Sequence, residues 1–425
     1  MSFRGPEIFK LNGGLGQTAP SDRNVFGLIV ANGYEVSDTF EFGQVYRLTS
    51  IEDAEALGLS PASDANNADD TTALIWYNID EWFRTNPDGT LYVFNGEEVA
   101  TANLFAANGP ANALLSASEN GIRGLGIIFG FDPEPAEPYT ITGGFADFVT
   151  QARSAAQTWV EARATEHIYI DVVVIEGAFA APVLVDQKTA DAPQVHITVA
   201  CDHGYLDEYD EAFLRTASVG TALAAIGVRM LSESMGSVVL ERYPSAARGR
   251  ANYSLVDTRR GRWMKPGLSS GVLVADTTQS YRDELTDKAY GYAGSYESYP
   301  GVYFNADPTC TLVTDDFNTI HINRVWNESA RMVRRALIPK MNSRVRIDST
   351  TGRIAPATIA DWDAAAKRQL DTLLAEGEIS DYTFSLDPEQ DVIAQGKVKT
   401  RLRIVPQGIA KEIEGEIGFT NPAQA

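Results

Sequence analysis

The stretch KVKTRLRIVPQGIAKEIEGEIGF, residues 397–419, holds two strand-like patterns of opposite charge separated by a Pro-Gln-Gly break. In the first, Lys397, Lys399, Arg401 and Arg403 fall on one face, and Val398, Leu402 and Ile404 on the other. In the second, Ile409, Ile413, Ile417 and Phe419 alternate with Glu412, Glu414 and Glu416. A period of two is that of a strand with one buried face. Facing strands of opposite charge are stabilised by about 0.2–1 kcal/mol per pair, and like charges oppose pairing. The two patterns are therefore complementary. Two arrangements are expected: a hairpin within one chain, or exchange, in which the acidic strand of one copy lies against the basic strand of the next.

The rest of the chain sets the context. At 425 residues it exceeds the usual size of one hydrophobic core, so two or three compact units are expected. A composition of 44% hydrophobic and 22% charged residues is that of a globular protein. The formal charge of −22 argues against a nucleic-acid partner, which requires a basic face. Two cysteines, Cys201 and Cys310, are too few for a disulfide scaffold and are expected as buried free thiols. The start, MSFRGPEIFKLNGGLG, lacks the apolar core of a secretory signal, and no run of apolar residues is long enough to span a membrane. A cytoplasmic product, or one released by lysis, is the expectation.

Five segments follow from the pattern along the chain. Residues 1–24 are rich in glycine and turn formers and read as an arm, with an apolar patch at Ile8, Phe9 and Leu11 suited to a sheet edge. Residues 25–240 alternate strands such as HIYIDVVVIEGAF with helices, the order of an α/β domain. Residues 241–300, with RYPSAARGRANYS and RRGRWMKPG, read as a loop-rich connection or insertion. Residues 301–408 read as a smaller α+β domain and residues 409–425 as a C-terminal strand arm.

Candidate chemistry is sparse. NGGLG lacks the Lys-Ser/Thr of a phosphate loop and the strand that precedes a dinucleotide fingerprint. ACDHGYLDEYDEAF gathers Cys201, Asp202, His203, Asp207, Glu208, Asp210 and Glu211 after a strand, where α/β sites occur, but no second group has metal-ligand spacing. Of the four histidines, His196 sits within a strand pattern, and His167 and His321 stand apart from His203. The enzymatic alternative is an α/β hydrolase using the acids around His203; no cofactor is indicated.

SARMVRRALIPKMNSRVRID followed by GEISDYTFSLDPEQDVIAQGKVKTRLRIVPQGIAKEIEGEIGF resembles the C-terminal domain of contractile tail sheath proteins of myophages, phage-tail-like bacteriocins and contractile injection systems. YNIDEWFRTNPDGTLYVF, VHITVACDHG, SVGTALAAIGVRMLSESMGSV and PGVYFNADPTCTL are similar to the same family, so the likeness runs from about Ala19 to Phe419 except for residues 241–300. The resemblance implies a homo-oligomer of stacked rings in a helical lattice around an inner tail tube, with baseplate and terminator proteins at its ends. It also implies assembly in a host bacterial cytoplasm, as part of a virion or released particle, and contraction without nucleotide. Strand exchange is expected through Ile8, Phe9 and Leu11 of the arm, through Val398, Lys399, Arg401, Leu402 and Arg403, and through Ile413, Glu414, Glu416, Ile417 and Phe419. The helix NESARMVRRALIPKM, carrying Arg331, Arg334, Arg335 and Lys340, is the expected tube-facing element; the plainer reading is a solvated helix end favoured by the helix dipole.

Overall fold

The computed structural model describes residues 23–36, 38–61, 70–129, 141–142, 144–179, 183–207, 214–239, 252–416 and 418–419. Ile8, Phe9 and Leu11 of the expected arm lie outside the described residues, as do Ile417, Glu208, Asp210 and Glu211.

The first unit opens with β1 (Val25–Val30), β2 (Val45–Leu48), α1 (Ile51–Ala56), α2 (Asp70–Thr85) and β3 (Thr90–Asn95). It continues through α3 (Pro110–Ala117), β4 (Gly124–Ile128), the short β5 (Ile141–Thr142) and β6 (Phe145–Ala146), α4 (Asp147–Thr165) and β7 (Val172–Glu176). Then come β8 (Val195–Thr198), β9 (Ala200–Asp202), α5 (His203–Leu206) and α6 (Val219–Val228). A six-stranded sheet forms in the order β2-β3-β1-β4-β7-β8. Its pairs are parallel except at the β2 edge.

The sequence explains this sheet. β4 (GLGII) and β7 (VVVIE) are buried along their whole length, as strands covered on both faces must be. Alternate residues serve different layers. Leu28, Val172 and Val174 share a core with Trp82 of α2 and Leu223 of α6. Ile29, Val173 and Ile175 share another with Leu114 of α3 and Trp159 of α4. α2 and α6 approach closely because Gly220 has no side chain: a Cβ there would lie 1.9 Å from the Asn78 carbonyl oxygen. The Gly220 N–H instead donates to Asn78 Oδ1 at 2.8 Å.

Residues 252–300 depart from the expected insertion. β10 (Pro266–Leu268) pairs antiparallel with β9, α7 (Gln279–Asp287) follows, and β11 (Ala293–Gly294) pairs with β12 (Tyr303–Phe304). Trp263 and Tyr290 are fully buried. Arg262 is buried with its guanidinium 3.4 Å from the Tyr205 ring centroid and 2.7 Å from Asp80 Oδ2. Trp263 Nε1 donates to Glu81 Oε2 at 2.8 Å. The segment is a strap, and the acids of α2 that receive it lie more than 170 residues upstream, so no local pattern could reveal them.

The last unit comprises α8 (Ile320–Leu337), α9 (Pro356–Glu376), β13 (Ile379–Leu386), α10 (Val392–Gln395) and β14 (Thr400–Pro406). Met332, Leu370, Leu373, Phe384 and Leu386 form its core. Gly377 ends α9 with φ 75°, a left-handed cap that glycine adopts without a side-chain penalty. Residues just after Gly301 pack with the first unit, where Cys310 N–H donates to the Val195 carbonyl at 2.9 Å. The division between units therefore falls within α8. Its first half is buried by polar contacts to the sheet unit, as where Arg324 donates to the Met230 carbonyl at 2.9 Å.

Candidate assembly interface

β14 pairs antiparallel with β13, in a register that sets Leu402 opposite Phe384 and Ile404 opposite Tyr382. The two faces sort as the alternation requires: Val398, Leu402 and Ile404 are half-buried, while Lys399, Arg401 and Arg403 are exposed. Among the described residues this sheet has two strands. The other edge of β14 therefore carries backbone groups with no strand beside them, the arrangement that accepts an added strand.

The acidic segment does not fold back onto it. Residues 407–416 form no strand, and Glu414 and Glu416 are exposed. Ile413 is 91% exposed and Phe419 completely so. Burying side chains of this size is worth about 1.5–3 kcal/mol each, and the single chain forgoes it. Of the two arrangements read from the sequence, the hairpin within one chain is not formed among the described residues, where β13 is the strand paired with β14.

A groove of about 980 Å³ runs between β14, α8 and the loop before α8. Thr400, Leu402, Ile404 and Pro406 form one wall, and Trp326 and Val333 of α8 another. Trp326 is 44% exposed although Tyr169 and Phe317 both pack against it edge-on, each with a ring centroid 5.9 Å away. Nothing in the sequence marks Trp326 as special; its partners come from β7's approach and from the loop before α8.

Arg331, Arg334 and Arg335 of α8 and Lys340, just beyond its end, do not form one patch. Arg331 turns inward and donates to Asp171 at 2.8 Å, to Glu328 at 3.2 Å and to the Tyr169 carbonyl. Arg334 is exposed at the rim of the groove, and Arg335 is exposed beside it. Lys340 is bonded to Asp361 at 2.6 Å. The inward pull on Arg331 belongs to a seam of ions joining the two units, in which Arg23, just before β1, reaches both Glu328 and Glu376. Burial raises the Glu328 carboxyl, but Arg123, Arg331 and Arg23 around it bring it below its usual range.

The whole chain resembles solved structures from contractile particles. It matches a chain of the anti-feeding prophage baseplate (6-fold symmetrised) with a TM-score of 0.58 and 16% identity, covering 99% of each chain. It matches a chain of the sheath complex of the extracellular contractile injection system PVC, in the contracted state, with a TM-score of 0.53 and 14% identity, over 100% of this chain and 99% of that one. This chain has the fold of a contractile sheath protein. A chain from the anti-feeding prophage baseplate in its contracted state shares that sheath fold, with a TM-score of 0.52, 14% identity and 97% of each chain covered. The family model described as "DUF2586, C-terminal domain" matches residues 316–424, which is the α8–β14 unit of the sheath fold together with its acidic tail. No curated protein matches the sequence.

Within the sheath fold, Cys201, Asp202 and His203 of the hydrolase candidate are buried in packing contacts, while Asp207 is exposed. Cys201 is buried in the core, which pushes its thiol well up. Asp202 accepts from the Trp263 N–H at 2.8 Å, and burial pushes its carboxyl up to about 7. His203 is buried with Nε2 3.1 Å from the Leu268 carbonyl, and desolvation lowers its pKa. His196 Nδ1 lies 2.6 Å from the Pro308 carbonyl, and His321 Nδ1 lies 2.6 Å from Asp307, which also accepts the His321 backbone N–H at the start of α8. His167 stands apart at the groove. Among the described residues no group of three His, Cys, Asp or Glu is placed to hold a metal ion, and no helix is long and apolar enough to cross a membrane.

Proposed function

We propose that this protein is a structural subunit of a contractile tail sheath. Copies polymerise as stacked rings in a helical lattice around an inner tube, with baseplate and terminator proteins at the ends. The lattice contracts from a metastable extended state and drives the tube through a cell envelope. The observation that carries this reading is the likeness to the PVC sheath chain over the full length of both chains.

The connections between copies run through the terminal segments. Ile8, Phe9 and Leu11 supply one added strand, and Ile413, Glu414, Glu416, Ile417 and Phe419 the other. The receiving strand is β14 with the residue before it, where Lys399, Arg401 and Arg403 offer charge opposite to the tail's. Added strands hold by backbone hydrogen bonds, so copies rotate about the Pro406–Ala410 link without losing connection. Arg334 and Arg335 face the tube, with Lys340 nearby and Arg331 committed to the seam. The energy of contraction resides in contacts between copies, and no nucleotide takes part.

Negative-stain electron microscopy of the full chain, beside a copy ending at Gly408, tests the reading. Long hollow tubes from the first and dispersed, folded particles from the second are expected. Dispersed particles of one size from both would overturn it.

A further inference from the structure

We infer that the turn formed by Glu376, Gly377 and Glu378 is a common anchor for both terminal segments. It fixes where the N-terminal arm and the acidic tail leave the folded body, with Arg23 and Gln407 as the positioning residues. The anchor stands on contacts within one chain; its purpose rests on the sheath reading.

Three separate parts of the chain converge on these three residues. Arg23, at the root of the arm, holds Glu376 at 2.8 Å and Glu328 of α8 at 3.2 Å. Gln407, at the root of the tail, donates from Nε2 to the Gly377 carbonyl at 3.2 Å. Ser232, in the loop after α6, donates to Glu378 Oε2 from its backbone at 3.0 Å and from its hydroxyl at 2.9 Å. Glu378 and Glu328 are buried, so the anchor is set into the body of the fold.

The backbone of the turn suits this work. The Gly377 N–H donates to the Leu374 carbonyl at 3.1 Å and the Glu378 N–H to the Leu373 carbonyl at 2.9 Å, a double closure that fixes its shape. The Gly377 carbonyl remains for Gln407.

Neighbouring residues leave little slack at either root. Asn24 and Asn86 exchange side-chain hydrogen bonds of 2.9 and 2.7 Å, and the Asn24 carbonyl accepts the Thr90 N–H at 3.0 Å. Gly227 of α6 makes room for that pair, since a Cβ there would lie 2.5 Å from Asn86 Nδ2. Two successive residues, Arg23 and Asn24, thus tie the arm's root to both units. At the other root, Pro406 lies opposite Ile379 and its carbonyl accepts from Ser380 Oγ at 3.1 Å, one residue before Gln407. Arginine fits position 23 because its planar fork reaches carboxylates on two helices at once, which a single ammonium does not.

On the sheath reading, tension between copies enters by one terminal segment and leaves by the other. With both roots on one turn, it crosses each copy at a single place. Partly exposed ion pairs add little stability one by one. What they supply here is order, since terminal segments are poorly ordered unless tied down.

Pulsed electron resonance between spin labels tests this in the full chain, below the concentration of assembly. Cys201 and Cys310 are buried, so labels go to Asp22→Cys and Gly408→Cys, the latter with open space around it. A narrow distance distribution is expected in the labelled parent. Arg23→Met, Gln407→Ala or Glu376→Gln should each broaden it at least about twofold. Adding Glu376→Gln to Arg23→Met should change it little further, because both remove the same bond. A broad distribution in the parent overturns the anchor, as does a width that none of the variants changes. A lower thermal midpoint with the width unchanged overturns it too, making these residues ordinary stabilisers. Rods from a chain with broad distances would leave the sheath reading standing without the anchor. Narrow distances that broaden as described, in a chain that forms no rods, would keep the anchor and remove the sheath reading.

Discussion

Arg331 of α8 and Asp171, the residue before β7, are joined by a 2.8 Å ion pair, with side chains 12% and 3% exposed. The same guanidinium holds Glu328, and the Asp171 carboxylate also accepts from Asn327 at 2.9 Å. Removing one partner of such a pair leaves the other charge buried. Arg331→Ala is therefore expected to cost about 3 kcal/mol of stability, measured by urea denaturation. Arg334→Ala and Arg335→Ala, at exposed positions, should stay within about 0.5 kcal/mol and instead weaken sedimentation with the inner tube.

Contact between α2 and α6 depends on the missing side chain at Gly220. Alanine there would press its methyl into the Asn78 carbonyl and break the Gly220–Asn78 hydrogen bond. A loss of about 3 kcal/mol or more is expected for Gly220→Ala, with a lower thermal midpoint and poor yield of folded chain. A midpoint within a degree of the parent would show that the two helices part easily.

The carboxyls of Glu176 and Asp202 contribute stability that falls as pH rises from about 5 to 7, while His196 and His203, lowered by burial, act in the opposite direction. Burial pushes Glu176 up to about 7 from 4.5, against two backbone N–H donors that favour the ionised form. A raised pKa means that the folded state holds its proton more tightly. The contribution is complete below the unfolded value and is lost as pH rises through the folded one, on the order of 3 kcal/mol in all. Asp202, also raised to about 7, acts in the same direction. Glu176→Gln should therefore remove this downward contribution and make stability fall less, or rise, with pH over that range. An unchanged slope in urea titrations at pH 5, 6, 7 and 8 would contradict this.

Assembly should follow the charge of the two strands. Arg401→Glu with Arg403→Glu alters exposed positions, so the thermal midpoint should hold while rods disappear from micrographs. Combining these with Glu414→Lys and Glu416→Lys in the same chain restores opposite charges across each pair, worth about 0.2–1 kcal/mol apiece, and rods should return. Rods that persist in the first variant would show that backbone bonding alone suffices.

Much of the architecture is legible in the sequence because local patterns dictate it. A β-branched apolar run such as VVVI favours a strand covered on both faces, and the alternation in TRLRIVP favours a strand with one charged face. The complementary charges of residues 397–419 are equally plain, and so is the sparseness of catalytic motifs. What the sequence conceals are contacts between distant positions. Arg331 reads as a helix-surface cation, yet it, like Arg262, is drawn inward by a carboxylate on an element far away in the chain, Asp171 before β7 for Arg331 and Asp80 on α2 for Arg262. Trp326 reads as one more apolar residue of a helix, and only the meeting of α8, β14 and the preceding loop makes it the wall of a groove. Periodicity is a property of neighbours along the chain, so the sequence by itself determined which faces are apolar and which are charged. Which face meets which partner depends on charges and surfaces brought together by folding, and that the tertiary structure decided.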